Sequence, residues 1–229
     1  MKARLIDQSM GVGWETVRLL VMNNLFTAEL ADEIRKPGGV DRALGAMQRE
    51  FFPASSSATP CAVVSSASWR EEHGIIYLTV TSDGTTGEEW ISRIERKGLR
   101  MGRCAKSILC STAFIPTSGT VYRIAVLKGS LFFDRERRTS NIRTKASKRG
   151  FIKPHPEVAC LIRDALSDND INAMGLWHIV AMHDPIRDYN GNPYLLDAYR
   201  VGIGCWLDAC RISTDGMWGR DYGFAFLQV

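Results

Sequence analysis

The sequence predicts an α+β fold, with an N-terminal helical unit followed by a mostly antiparallel sheet covered by helices. Three observations predict it. Apolar residues recur at helical spacing through the first fifty residues, and a small, polar, proline-bounded stretch follows at 53–60. Beyond that stretch, short turn-bounded runs with β-branched residues alternate with capped helical segments. The expected organisation is a helical unit at 1–52, a linker at 53–60 and an α+β domain at 61–229.

In the helical unit, Val17, Leu20 and Val21 stripe a helix over 14–24. Thr27 caps a second helix over 28–34, carrying Leu30, Ala31 and Ile34. Pro37, Gly38 and Gly39 break it, and Val40, Leu44, Met47 and Phe51 stripe a third. Residues 27–44 have the outline of a helix-turn-helix. Their connection at 35–39 exceeds the usual turn of about three or four residues, and Asp41 would face phosphate at the start of the recognition helix. A small bundle that packs or pairs with a partner is the preferred reading.

The second part opens with strands over 62–67 and 75–81. The segment 82–87 leads into a helix over 88–97, with Trp90, Ile91 and Ile94 on one side. A helical turn or two covers 104–110, and 122–127 is a strand. Helices follow over 139–149, 156–166 and 168–174. The second begins at Pro156, and the third behind Ser167, with Asp170 three residues on. The last fifty residues read as antiparallel strands over 177–182, 194–201, 205–212 and 222–227, with Asn190-Gly191 marking a hairpin.

The composition, 45% hydrophobic and 24% charged over 229 residues, excludes disordered, collagen-like and coiled-coil classes. No apolar run approaches the ~20 residues of a membrane helix, and charge interrupts 1–8 too early for a secretory signal. A cytoplasmic location away from membranes is expected. Cys61, Cys104, Cys110, Cys160, Cys205 and Cys210 are expected to be free thiols, mostly buried as small hydrophobes.

Charge is the most informative feature. Residues 134–153 hold eight bases against two acids, and 93–106 hold six against one, while the whole chain is only +4. Concentrated Arg and Lys neutralise phosphates and release counterions. The leading reading is a non-enzymatic protein whose basic helices contact nucleic acid through Arg137, Arg138, Arg143, Lys145, Lys148, Arg149, Arg100 and Arg103. The plain alternative is a solvated surface whose bases pair with acids elsewhere.

Other constellations are weaker. The glycine turn at 83–87 is followed by Glu88 and Glu89, which satisfy a helix dipole and repel an anion, so it reads as a capped helix start. Metal is not expected, and neither is a cofactor. His178 and His183 are an odd number apart around a strand, as are Cys205 and Cys210. Cys104 and Cys110 diverge on a helix, and no C-x-x-C pair exists.

An enzyme reading rests on His183 and Asp184 in a cleft, near His178 and Asp188. His155, between two prolines, reads as a loop residue. Cys104, near Arg103 and Lys106, reads as structural more readily than as reactive. A protein-partner reading rests on the N-terminal helices and the Trp218 loop. The C-terminal aromatics would stack bases only if several shared an open sheet face.

Overall fold

The computed structural model describes residues 68–229 apart from Tyr189, 202–203 and 214–215. These fall within the second of the chain's two units, Cys61–Val229. The helical unit at 1–52, the linker and the strand at 62–67 lie outside the described residues.

From Ile75 to Asp83, the even positions Ile76, Leu78, Val80 and Ser82 are buried, while Thr79, Thr81 and Asp83 are exposed. This period-two pattern is that of a strand with one face on a core. The strand, β2, pairs antiparallel with β1 (Trp69–Glu72) through a two-residue turn in which His73 and Gly74 both take positive φ, 52° and 76°. That backbone matches the right-handed twist of a hairpin.

The remaining strands are β3 (Arg100–Met101), β4 (Ser118–Lys128), β5 (His178–Ala181), β6 (Ile186–Arg187), β7 (Pro193–Val201), β8 (Gly204–Arg211) and β9 (Tyr222–Leu227). All nine form one sheet in the order β1-β2-β4-β9-β5-β7-β8-β3, with β6 on β7.

This corrects the expected architecture. Among the described residues the fold is a single mixed sheet of nine strands with only five α-helices. β9 runs parallel to β5, and β3 runs parallel to β8. The centre of the sheet explains why the pattern misled. β5 is buried at all four positions, so its sequence is a continuous run rather than an alternation. Nothing local in such a run sets the direction of its neighbours.

The helices are α1 (Gly87–Arg96), α2 (Arg103–Leu109), α3 (Thr139–Ser147), α4 (Glu157–Ala165) and α5 (Asp168–Ala173). Two have reciprocal capping boxes, Thr86 with Glu89 on α1 and Ser167 with Asp170 on α5. The acids beside the glycine turn thus serve the start of α1.

Side chains from α1, α2, α4 and α5 pack on one sheet face. Trp90, Ile94, Ile108, Val158, Ile162 and Ile171 meet even-numbered residues of β2 and β4 there. The opposite face carries α3, whose Ile142 and Ala146 pack with Leu127, Val180, Leu195, Phe224 and Phe226.

Candidate nucleic-acid interface

α3 offers only Ile142 and Ala146 to the core, so its seat depends on polar attachments made by the basic run itself. Arg137 is one staple. Its Nε donates to the Trp218 carbonyl at 2.9 Å, Nη1 to the Phe132 carbonyl at 3.3 Å, and Nη2 to Asp134 at 2.8 Å.

Arg143 is half-buried and donates to the His183 carbonyl at 2.6 Å, and burial lowers the pKa of its guanidinium. Lys145 donates to the Leu131 carbonyl and sits 4.3 Å from the Phe132 ring centroid. A cation spent on a carbonyl and a ring face is holding the fold together.

Other bases of the run point outward. Lys148 and Arg149 are exposed just past α3, and the Arg149 guanidinium donates to the Lys145 carbonyl at 3.3 Å. Neither makes an ion pair among the described residues, and the same holds for exposed Arg135. Arg138 is exposed, with its backbone bridged to Met217. Lys153 pairs with Asp184 at 2.5 Å, and this bond, with the nearby charge, holds the Asp184 carboxyl below its ordinary pKa.

The second basic run is largely neutralised. Arg93 meets Asp83 at 2.6 Å, Lys97 meets Asp164 at 2.5 Å, and Lys106 meets Glu95 at 2.6 Å. Arg100 lies on edge strand β3, over the Trp206 ring at 5.5 Å, and Arg103 is exposed on α2. β3 stands two strands beyond β7, the last strand that supplies a side chain to the α3 core. Arg100 and Arg103 are therefore not gathered with Lys148 and Arg149.

The surface next to α3 lies outside the basic runs that the sequence singles out. On the α3 face, odd-numbered residues of β2 and β4 are buried at one end, Ile75 and Leu127, and open at the other. There Thr79 pairs with Arg123 and Thr81 with Val121, all four exposed. Tyr77, half-exposed, marks the border, and Arg70 on β1 lies 5.0 Å from its ring centroid.

Ile152, also exposed, bridges to Leu227 of β9, which itself pairs with Ile124 of β4. Lys148 and Arg149 thus sit a few residues from a point two strand spacings, about 10 Å, from β4. The signal for this open area was present in the alternation Tyr77-Leu78-Thr79-Val80-Thr81.

Trp218 is half-buried. Its indole N–H donates to Thr139 at 3.0 Å, and its ring packs on Tyr222 and Phe224. The exposed apolar residues there are its neighbour Met217, at 62%, and Phe133, at 81%.

The residues of the enzyme reading are not brought together. His183 is fully buried; its Nδ1 donates to the Asp184 carbonyl at 2.6 Å and its Nε2 accepts from the Leu196 amide at 2.9 Å. Burial lowers its pKa to about 4. Both nitrogens serve the backbone, and the Asp184 carboxylate turns to Lys153. Asp188 organises the β6–β7 turn by accepting from the Asn190 and Asn192 amides.

Two polar clusters that sequence spacing does not suggest are present instead. His178 meets buried Asp197 across β5 and β7, Cys210 reaches the same carboxylate from β8, and the imidazole stacks between Tyr199 and Tyr222. Register puts His178 and Cys210 on opposite diagonals from Asp197, and both reach the same carboxylate oxygen from opposite sides. Among the described residues no group of three or more His, Cys, Asp or Glu side chains is placed to hold a metal ion.

The other cluster is Glu157, buried at the start of α4. It accepts from the Thr117 amide at 2.9 Å and from the Thr117 and Tyr122 hydroxyls at 2.5 Å each. Burial, with the bond to Glu157, pushes the Tyr122 phenol up to about 12. His155, the expected loop residue, lies 3.7 Å from the same carboxylate.

Among the described residues no helix is long and apolar enough to cross a membrane. No known protein family, curated protein or solved structure matches the chain.

Proposed function

We propose that this chain is a non-enzymatic protein that binds nucleic-acid phosphate through Lys148 and Arg149 at the end of α3, together with Arg123 of β4. The observation that carries the reading is electrostatic. These three bases are exposed and make no ion pair among the described residues, whereas Arg93, Lys97, Lys106, Arg137 and Lys153 are each paired with a carboxylate. Unneutralised surface cations gain free energy by displacing counterions from a polyanion. A cytoplasmic setting, where nucleic acid is accessible, belongs to the same proposal.

The test is fluorescence-anisotropy titration of labelled DNA and RNA, with Lys148, Arg149 and Arg123 replaced together by Glu. Loss of binding with an unchanged melting curve is expected. Unchanged affinity would overturn the reading. Arg143 and Lys145 are unsuitable for this variant, because their loss also removes attachments of α3.

A protein partner is the second reading, favoured by Phe133 and Met217. Arg137 ties together the two segments that carry them, through the Phe132 and Trp218 carbonyls. Paired exposed apolar side chains are typical of contact surfaces. Pull-down of a partner that stays bound at high salt would support this reading over phosphate contact.

A further inference from the structure

Resting on the phosphate reading above, we propose that the nucleic acid bound is single-stranded, and that its bases lie on the open part of the α3 face with Tyr77 as the stacking side chain. Three features of that area support this.

First, its geometry is a sheet platform. Thr79, Thr81, Val121 and Arg123 present exposed side chains from two directly paired strands, without a helix over them among the described residues. A flat area of this kind accepts unstacked bases, whereas a duplex keeps its bases turned inward and offers only its rim.

Second, the polar groups are arranged for a strand. Arg70 lies against the Tyr77 ring on the β1 side, Arg123 stands on β4, and Lys148 and Arg149 flank the area beyond β9. Of these, Arg123, Lys148 and Arg149 make no ion pair among the described residues, and unpaired cations beside an aromatic residue suit a phosphate backbone whose bases stack on its ring. The nearby carboxylates are already engaged, Glu72 with Arg70 at 2.7 Å and Asp83 with Arg93 at 2.6 Å. A polyanion therefore meets little uncompensated negative charge there.

Third, the side chains carry little sequence code. Thr79, Thr81 and Val121 offer two hydroxyls and apolar surface, and Arg123 alone of the four platform side chains has a fork that can read a base edge. Binding is then sequence-tolerant, governed by stacking and charge.

The experiment titrates the full-length protein with one labelled oligonucleotide as a single strand and as a duplex, using wild type, Tyr77→Ala, Tyr77→Phe and the triple Glu variant. Wild type is expected to bind the single strand about tenfold more tightly than the duplex. Tyr77→Ala is expected to weaken the single strand about tenfold and leave the duplex unchanged, and Tyr77→Phe to retain binding. Melting curves confirm that each variant folds.

Equal binding of both forms, or a Tyr77→Ala variant that binds the single strand like wild type, overturns the inference. If the triple Glu variant still abolishes binding in that case, the phosphate reading stands without it. If wild type binds neither form, or the triple variant binds as wild type does, the phosphate reading itself falls.

Discussion

His178 Nδ1 lies 2.8 Å from Asp197 Oδ2, and Cys210 Sγ reaches the same oxygen at 3.1 Å from the opposite diagonal of the sheet. One carboxylate, 1% exposed, thereby ties β5, β7 and β8 together. Replacing Asp197 by Ala removes the buried carboxylate that His178 and Cys210 share, which costs about 1–3 kcal/mol. Asp197→Asn keeps an acceptor oxygen and is expected to cost less. Urea denaturation of both variants measures this, and an Ala variant within about 0.5 kcal/mol of wild type would refute the role assigned to the pair.

His183 predicts a pH dependence. Its folded pKa of about 4 lies below the ordinary 6.5, so the unfolded chain takes up the proton first. The neutral imidazole's contribution to stability is complete above about pH 6.5 and is lost as pH falls toward 4. The loss is on the order of 3 kcal/mol. His183→Gln preserves an acceptor for the Leu196 amide and is expected to flatten this part of the stability curve. Equally steep acid profiles for variant and wild type would contradict the assignment.

Tyr122 behaves in the opposite direction. Its phenol is raised to about 12, so the neutral form stabilises the fold below about pH 10, and that contribution is lost as pH rises through 12. Spectrophotometric titration should show one tyrosine ionising last, and Tyr122→Phe should remove that step. Glu157→Ala removes the carboxylate acceptor of the Thr117 amide and of the Thr117 and Tyr122 hydroxyls, and should lower stability by about 1–3 kcal/mol.

The bases around α3 divide by function. Arg143→Ala deprives the His183 carbonyl of its donor and is expected to cost about 1–2 kcal/mol, a fall in Tm of several degrees for a chain of this size. Exposed Lys148 makes no side-chain hydrogen bond or ion pair among the described residues, and Lys148→Ala is expected to stay within about 0.5 kcal/mol of wild type. Thermal melts of the two variants check this, and equal Tm values would contradict it.

Local features were legible in the sequence. Ser167 with Asp170 marks the start of α5, Pro156 stands immediately before α4, and the run from Ile75 to Thr81 falls within β2. Long-range features were not. The parallel β5–β9 pair joins residues more than forty positions apart, and β3 has two residues, too few for any periodicity. A run of bases also does not reveal which members meet carbonyls. Arg137, Arg143 and Lys145 look the same in sequence as Lys148 and Arg149, and only tertiary packing separates staples from free cations. Likewise His178, Asp197 and Cys210 meet through strand register, whereas the adjacency of His183 and Asp184 puts their side chains to separate uses.

Phosphate contact by exposed bases sets the salt dependence of oligonucleotide affinity, to be measured in wild type and in Arg123→Ala. Each phosphate contact contributes about 0.7–0.9 to the slope of log affinity against log salt concentration. A steep wild-type slope that falls by about one such step in the variant is expected. A wild-type affinity indifferent to salt, or a slope unchanged by loss of Arg123, would contradict it.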